Sequence, residues 1–190
     1  MDMTGEERIG ASRRAVWLAL NDVDVLKQCI PGCQSLERQS DTDMTARVKL
    51  QIGPVSATFS GKVKLSELDP PNGYRIAGEG SGGAAGYAKG SALVRLVEDG
   101  PATLLRYEAK ADVGGKLAQL GGRLIDATAR KLAGEFFQNF TTVVGPAAPL
   151  DGAASAAEAE TAGGAPKKAG LLRRWFGKKG DAPGGSAPST

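Results

Sequence analysis

Met44-Thr45-Ala46-Arg47-Val48-Lys49-Leu50-Gln51-Ile52-Gly53-Pro54-Val55-Ser56-Ala57-Thr58-Phe59 is the stretch on which the fold turns. Met44, Ala46, Val48, Leu50 and Ile52 alternate with Thr45, Arg47, Lys49 and Gln51. A period of two puts the two sets on opposite faces of a β-strand, one face buried and the other wet. Gly53-Pro54 interrupts the pattern, and Val55, Ala57, Phe59, Gly61, Val63 and Leu65 carry it back. An antiparallel hairpin is the expected result, because a short turn returns the chain beside itself.

Downstream, Pro70-Pro71-Asn72-Gly73 is a second turn, Tyr74 to Gly80 and Tyr87 to Glu98 form a second strand pair, and Asp99-Gly100 turns into a last strand from Thr103 to Val113. From Lys116 to about Val144 the period becomes helical: Leu117, Leu120, Leu124, Ile125, Leu132, Phe136 and Phe140 give an apolar face long enough to cross the whole sheet. Upstream, a short strand is expected around Glu6 to Gly10. Ser12 then caps a helix carrying Val16, Trp17 and Leu20, and Asn21-Asp22 starts another carrying Val25, Leu26 and Cys29, ended by Pro31-Gly32. The fold class is α+β, a strand and two short helices ahead of a curved antiparallel meander that a long C-terminal helix closes.

Composition excludes whole classes of function. The chain has 190 residues, 41% of them hydrophobic, which suits a single domain of about residues 1–145 with additional sequence beyond it. A net charge of +3 is too small to argue for nucleic acid. There is no histidine, which removes Ser/Cys-His triads, imidazole bases and most catalytic zinc or iron sites. The two cysteines, Cys29 and Cys33, are too few for a four-ligand metal site or a disulfide framework, and three residues separate them where a thioredoxin-like pair has two. They read as packing residues in a reducing, cytoplasmic setting. Residues 1–10 show no signal-like apolar run, and no stretch reaches the roughly 18 apolar residues of a membrane span.

Other motifs have plain explanations. Gly78-Glu79-Gly80-Ser81-Gly82-Gly83 fits G-x-G-x-x-G, but it lies in and after an antiparallel strand with no helix to receive a phosphate; it reads as a mobile lip instead. Lys89 lacks the context of a Walker loop. Glu98, Glu108 and Asp112 alternate with core positions and should be solvated, so paired-acid catalysis has no support.

The inward positions of the middle strands are nearly all small: Gly78, Gly80, Ala88, Gly90, Ala92, Ala109 and Ala111. A long helix held off such a floor by Phe59, Phe136 and Phe140 would enclose an apolar chamber, whereas a helix lying close would leave none. The chamber is the expectation. Its candidate ligand-binding residues are Phe59, Gly78, Gly80, Tyr87, Gly90, Ala92, Ala109, Leu117, Leu120, Leu124 and Phe136.

Residues 146–166 shift to Ala, Gly, Pro and Ser, a composition expected of a flexible linker. Residues 167–180 contain Lys167, Lys168, Arg173, Arg174, Lys178 and Lys179 beside Leu171, Leu172, Trp175 and Phe176. On a helix the four apolar residues would share one side, with Arg173, Arg174 and Lys178 opposite, as in a segment lying on an anionic membrane. A docking peptide for a partner protein is the alternative. A linker of about 25 residues would let the domain range about 25–30 Å from this anchor. Residues 181–190 are expected to be disordered.

The runs Val16-Trp17, Leu20-Asn21-Asp22, Leu26, Cys29-Ile30-Pro31-Gly32-Cys33, Gly53-Pro54-Val55, Phe59-Ser60-Gly61-Lys62-Val63, Asp69-Pro70-Pro71-Asn72-Gly73-Tyr74, Gly83-Ala84-Ala85-Gly86 and Gly114-Gly115-Lys116-Leu117-Ala118-Gln119-Leu120-Gly121 resemble the G-subunit family of carbon monoxide dehydrogenase. The resemblance spans about Met3 to Phe140. It implies the START-like helix-grip (SRPBCC) fold, in which a curved sheet wraps a long C-terminal helix around apolar ligands. It also implies association with a molybdenum-containing carbon monoxide dehydrogenase or related molybdenum hydroxylase. The expected function is thus a non-catalytic accessory protein, cytoplasmic and peripheral on the inner face of the membrane. It would tether that enzyme and carry an apolar small molecule, an isoprenoid quinone, with no covalent cofactor and no nucleic acid. The alternative is an assembly or docking factor without ligand. A cyclase or hydrolase is a third reading, with Tyr107 or Tyr87 as the acid.

Overall fold

Seven strands hydrogen-bond into one antiparallel sheet in a computed structural model that describes residues 1–145. In chain order the elements are β1 (Asp2–Ile9), α1 (Arg13–Leu20), α2 (Val23–Cys29), β2 (Cys33–Arg38), β3 (Asp43–Ile52), β4 (Val55–Asp69), β5 (Gly73–Ser81), β6 (Tyr87–Asp99), β7 (Ala102–Gly114) and α3 (Gly122–Val144). Short 3₁₀ turns at Gly83–Ala85 and Ala118–Leu120 precede β6 and α3. The sheet order is β1-β7-β6-β5-β4-β3-β2, a meander from β2 to β7 with β1 added against β7.

Local chemistry accounts for most boundaries. The Ser12 hydroxyl accepts a hydrogen bond from the Ala15 amide (3.3 Å), and Asp22 Oδ1 accepts from the amides of Asp24 (2.8 Å) and Val25 (3.2 Å); both caps satisfy donors that a helix start leaves free. Gly53, with φ of +57°, makes the β3–β4 turn. The alternation of Met44 to Leu65 is realised as written, Met44 pairing with Val63 and Ile52 with Val55.

Three expectations need correction. The first strand is longer and earlier than Glu6 to Gly10: it runs from Asp2, because pairing with β7 from Lys110 to Thr103, rather than an apolar alternation of its own, makes it a strand. Strand β2 has no counterpart among the expected elements; a register shift at Cys33/Ser35 breaks its alternation. The closing helix starts at Gly122 and not at Lys116, since Gly115 and Gly121 have φ of +74° and +85°, outside the right-handed helical region. Leu117 and Leu120 therefore lie before α3 rather than on its face.

The core has two parts. Ile9, Val16, Leu20, Cys29, Leu36, Met44, Leu65, Tyr74, Leu96, Leu105 and Phe140 form the main cluster, and Ile52, Leu117 and Ile125 form a smaller one at the other end of α3. The Asn139 amide donates to the Cys29 carbonyl (3.2 Å), joining the C-terminal half of α3 to the end of α2. The Thr103 hydroxyl, fully buried, donates to the Ala11 carbonyl (2.7 Å).

Phe140 has no exposure, so Phe140→Ala should cost about 3–5 kcal/mol in chemical denaturation. Burial pushes the Tyr74 phenol up to about 12, against about 10 in the unfolded chain. Its contribution to stability is present below pH ~10 and lost as pH rises towards ~12, because the unfolded state releases the proton first. Stability should fall by about 1.4 kcal/mol per pH unit across that window from this group. Alkaline denaturation of Tyr74→Phe, set beside the unaltered chain, should lack that component.

Candidate functional site

Two successive inward rows cross the middle of the sheet. Ala46, Gly61, Gly80, Ala88 and Val113 pair in one, and Met44, Val63, Gly78, Gly90 and Ala111 in the next. Opposite them α3 rests mainly on α2, with lighter contact to α1, β1 and β3. The space left is a chamber of about 550 Å³, open to solvent, within the range of small-molecule sites. Ile125, Thr128, Ala129, Leu132, Ala133 and Phe136 form its helix side, and Ile30 and Pro31 enter from the α2–β2 turn.

The glycines explain why the space exists. A Cβ on Gly61 would strike the Glu79 carbonyl, and one on Gly90 would come within 2.7 Å of the Lys110 carbonyl, so neighbouring backbone requires glycine at both. At Gly78 and Gly80 the nearest atom to such a Cβ is 3.5 Å away and belongs to β4, not to α3. Small residues here do not bring the helix close. They leave volume that larger side chains would fill.

The chamber wall is apolar. Its side-chain hydroxyl, that of Thr128, already donates to the Leu124 carbonyl (2.8 Å). Lys62, Glu79 and Lys89 touch the wall near their backbones, while their side chains lie exposed on the outer face around a charged depression of about 710 Å³ with Lys64, Lys110 and Asp112. That depression is larger, but its walls are solvated charges, whereas ligand chambers are mostly apolar. Among the described residues no three Cys, Asp or Glu side chains gather as a metal site.

Of the residues anticipated from sequence, the structure brings together Phe59, Gly78, Gly80, Gly90, Leu117 and Phe136 around the chamber. Ala92 and Ala109 lie one row further along, between Ile76 and Met3, outside the lining; the small-residue pattern continues past the point where Leu65 and Tyr74 of the main core begin. Leu120 packs into the smaller cluster, and Leu124 turns towards the Gly53 bend. Tyr87 is exposed on the outer face, its ring covering Gly114. Tyr107 also lies outside the lining, stacked on Phe137 at 5.3 Å between centroids, its phenol pushed up by burial and further by Glu7, against Arg130. The Gly-rich lip is tied to the segment before α3, where the Leu117 amide donates to the Ala85 carbonyl (3.1 Å). Val48, Leu50 and Val63 were legible on the alternating strands. Ala129, Leu132 and Ala133 could have been found from their i, i+3 and i+4 spacing with Phe136. The membrane-binding candidates Leu171, Leu172, Arg173, Arg174, Trp175, Phe176, Lys178 and Lys179, and the boundaries drawn at 146–166, 167–180 and 181–190, lie outside the described residues.

Gly80→Leu should place its side chain in the chamber, keep the melting temperature within a few degrees and reduce uptake of an apolar fluorescent dye at least tenfold. Gly61→Ala should instead lose about 1–3 kcal/mol, since its methyl meets backbone. Thermal melts and dye titration of the two variants separate these effects.

Comparison with known proteins agrees with this geometry. A conserved protein from Geobacillus kaustophilus is similar at 27% identity and a TM-score of 0.72, covering 76% of this chain and 95% of its own. A START superfamily protein from Mycobacterium smegmatis shares the fold at 15% identity and a TM-score of 0.57, over 75% of this chain and 96% of its own. So does the ZhuI aromatase/cyclase from Streptomyces sp. R1128, at 12% identity and a TM-score of 0.54, over 76% and 93%. No curated protein matches the chain. The fold is START-like, a curved antiparallel sheet gripping a C-terminal helix. The model of the CoxG family, the G subunit of carbon monoxide dehydrogenase, matches residues 5–145, and the chain belongs to that family.

Proposed function

We propose that this protein is a non-catalytic accessory to a molybdenum-containing carbon monoxide dehydrogenase or a related molybdenum hydroxylase. It carries a respiratory quinone in its chamber and brings the enzyme to the inner face of the cell membrane. The observation that carries the reading is the open chamber itself, about 550 Å³ with apolar walls and glycines at Gly78 and Gly80 that neighbouring atoms do not demand. The family name supplies the partner.

The division of labour follows from the chemistry. Oxidation of carbon monoxide with water releases two electrons and two protons, which are what convert a quinone to its quinol. The accessory chain contributes no reacting group to that exchange. It contributes an apolar environment that takes a water-insoluble acceptor out of water, worth about 25 cal/mol for each Å² of apolar surface buried. Tyr87 and Tyr107, the phenols an enzymatic reading would use, both stand outside the chamber, which favours carriage over cyclisation.

Membrane attachment is assigned to residues 167–180. No helix among the described residues is long and apolar enough to cross a membrane. The segment has six cations and four large apolar residues; each cation near an anionic leaflet is worth about 1 kcal/mol, and Trp and Phe favour the interface.

Mass spectrometry of an organic extract tests the carrier role. The full chain, purified from quinone-rich cells, should yield a quinone that Gly80→Leu lacks; empty extracts from both favour the assembly or docking role instead. Sedimentation with anionic vesicles tests the tether: the full chain should co-sediment in low salt, and a chain ending at Gly145 should remain in the supernatant. Equal sedimentation of the two would remove the tether from the segment.

A further inference from the structure

Resting on the carrier reading, we infer that the chamber recognises the hydrocarbon chain of its ligand and leaves the polar head unbonded at the opening, so that the ligand class is set by chain length rather than by head-group chemistry. A site that selects a quinone ring must offer hydrogen-bond donors to its carbonyl oxygens, because those oxygens accept only. Along its floor and its helix side this wall has none to spare; one further donor group, the Met1 ammonium at the β7 side, donates to the Ala111 carbonyl at 3.0 Å. The proton of the Thr128 hydroxyl is committed to the Leu124 carbonyl at 2.8 Å. The sheet side is built from paired strands whose amides serve the ladder. Pro31 has no amide proton, and the Ile30 amide donates to the Leu26 carbonyl at 2.9 Å. Burying a polar head against such a surface without partners carries a desolvation penalty that water at the opening avoids.

Size points the same way. A volume of about 550 Å³, at roughly the 30 Å³ of a water molecule for each carbon centre, takes about 18 carbons. That is between three and four isoprene units, which leaves no room for a ring inside once the chain is seated. Each methylene moved from water into the wall should tighten binding about fourfold, so affinity should climb with chain length and level off when the chamber is full. An exposed head is also the arrangement in which an electron donor docked at the opening reaches the ring directly.

Displacement of an apolar fluorescent dye from the full chain tests this with defined probes: geraniol, farnesol and geranylgeraniol as chains without a ring, menadione and 2,3-dimethoxy-5-methylbenzoquinone as rings without a chain, and a four-unit prenyl quinone carrying both. The expected result is that the prenyl alcohols tighten at least tenfold per added isoprene unit. Geranylgeraniol should come within about tenfold of the prenyl quinone, and the ring-only compounds should displace nothing at a hundredfold higher concentration. If the prenyl quinone binds but geranylgeraniol does not, or the ring-only compounds compete, the carrier reading stands and the inference of a chain grip falls. If no probe displaces the dye, the carrier reading itself falls.

Discussion

Everything in this domain depends on how α3 is fastened at its two ends and not between them. Near its C-terminus Phe140 is fully buried in the main core and Asn139 bonds the end of α2. Near its N-terminus Ile125 joins Ile52 and Leu117 in a separate cluster. A helix of 23 residues is about 34 Å long, so two short anchorages leave a middle span that faces the open chamber. Close packing is the normal state of an interior, because a void forfeits dispersion contacts. A domain that keeps about 550 Å³ unfilled gives up that attraction along Val48, Val63, Leu132 and Phe136, which remain only half-buried. An apolar ligand restores it.

The fully buried residues of the main cluster, Phe140, Tyr74 and Leu105 among them, lie beside the chamber rather than in its wall, while Ile30, Ala46, Val63 and Phe136 of the wall pack against that cluster. Surface charge adds little: the ion pairs Arg8–Asp99, Arg75–Glu67 and Arg106–Glu6 are all substantially exposed, and such pairs contribute at most about 1 kcal/mol. The framework itself is shared with proteins only 15% and 12% identical to this chain.

Sequence alone determined the order of the elements other than β2, the antiparallel meander from β3 to β7, the caps of α1 and α2 and the presence of small residues beneath the closing helix. Those features are written locally. Alternation with a period of two, a capping Ser or Asp, and a Gly-Pro turn each act within a few residues of themselves. Only the tertiary structure decided where the floor ends, because Ala92 and Ala109 are as small as Ala88 and Ala111, and what separates them is whether Leu65 and Tyr74 or open space lies alongside. It likewise decided that Asp2 to Gly5 belong to the first strand, through pairing with the distant β7, and that α3 begins at Gly122, through positive φ angles at Gly115 and Gly121. Most of all it decided that Gly78 and Gly80 are small without any neighbour requiring it; the distance from a glycine to atoms across the fold depends on long-range packing, which no local pattern encodes.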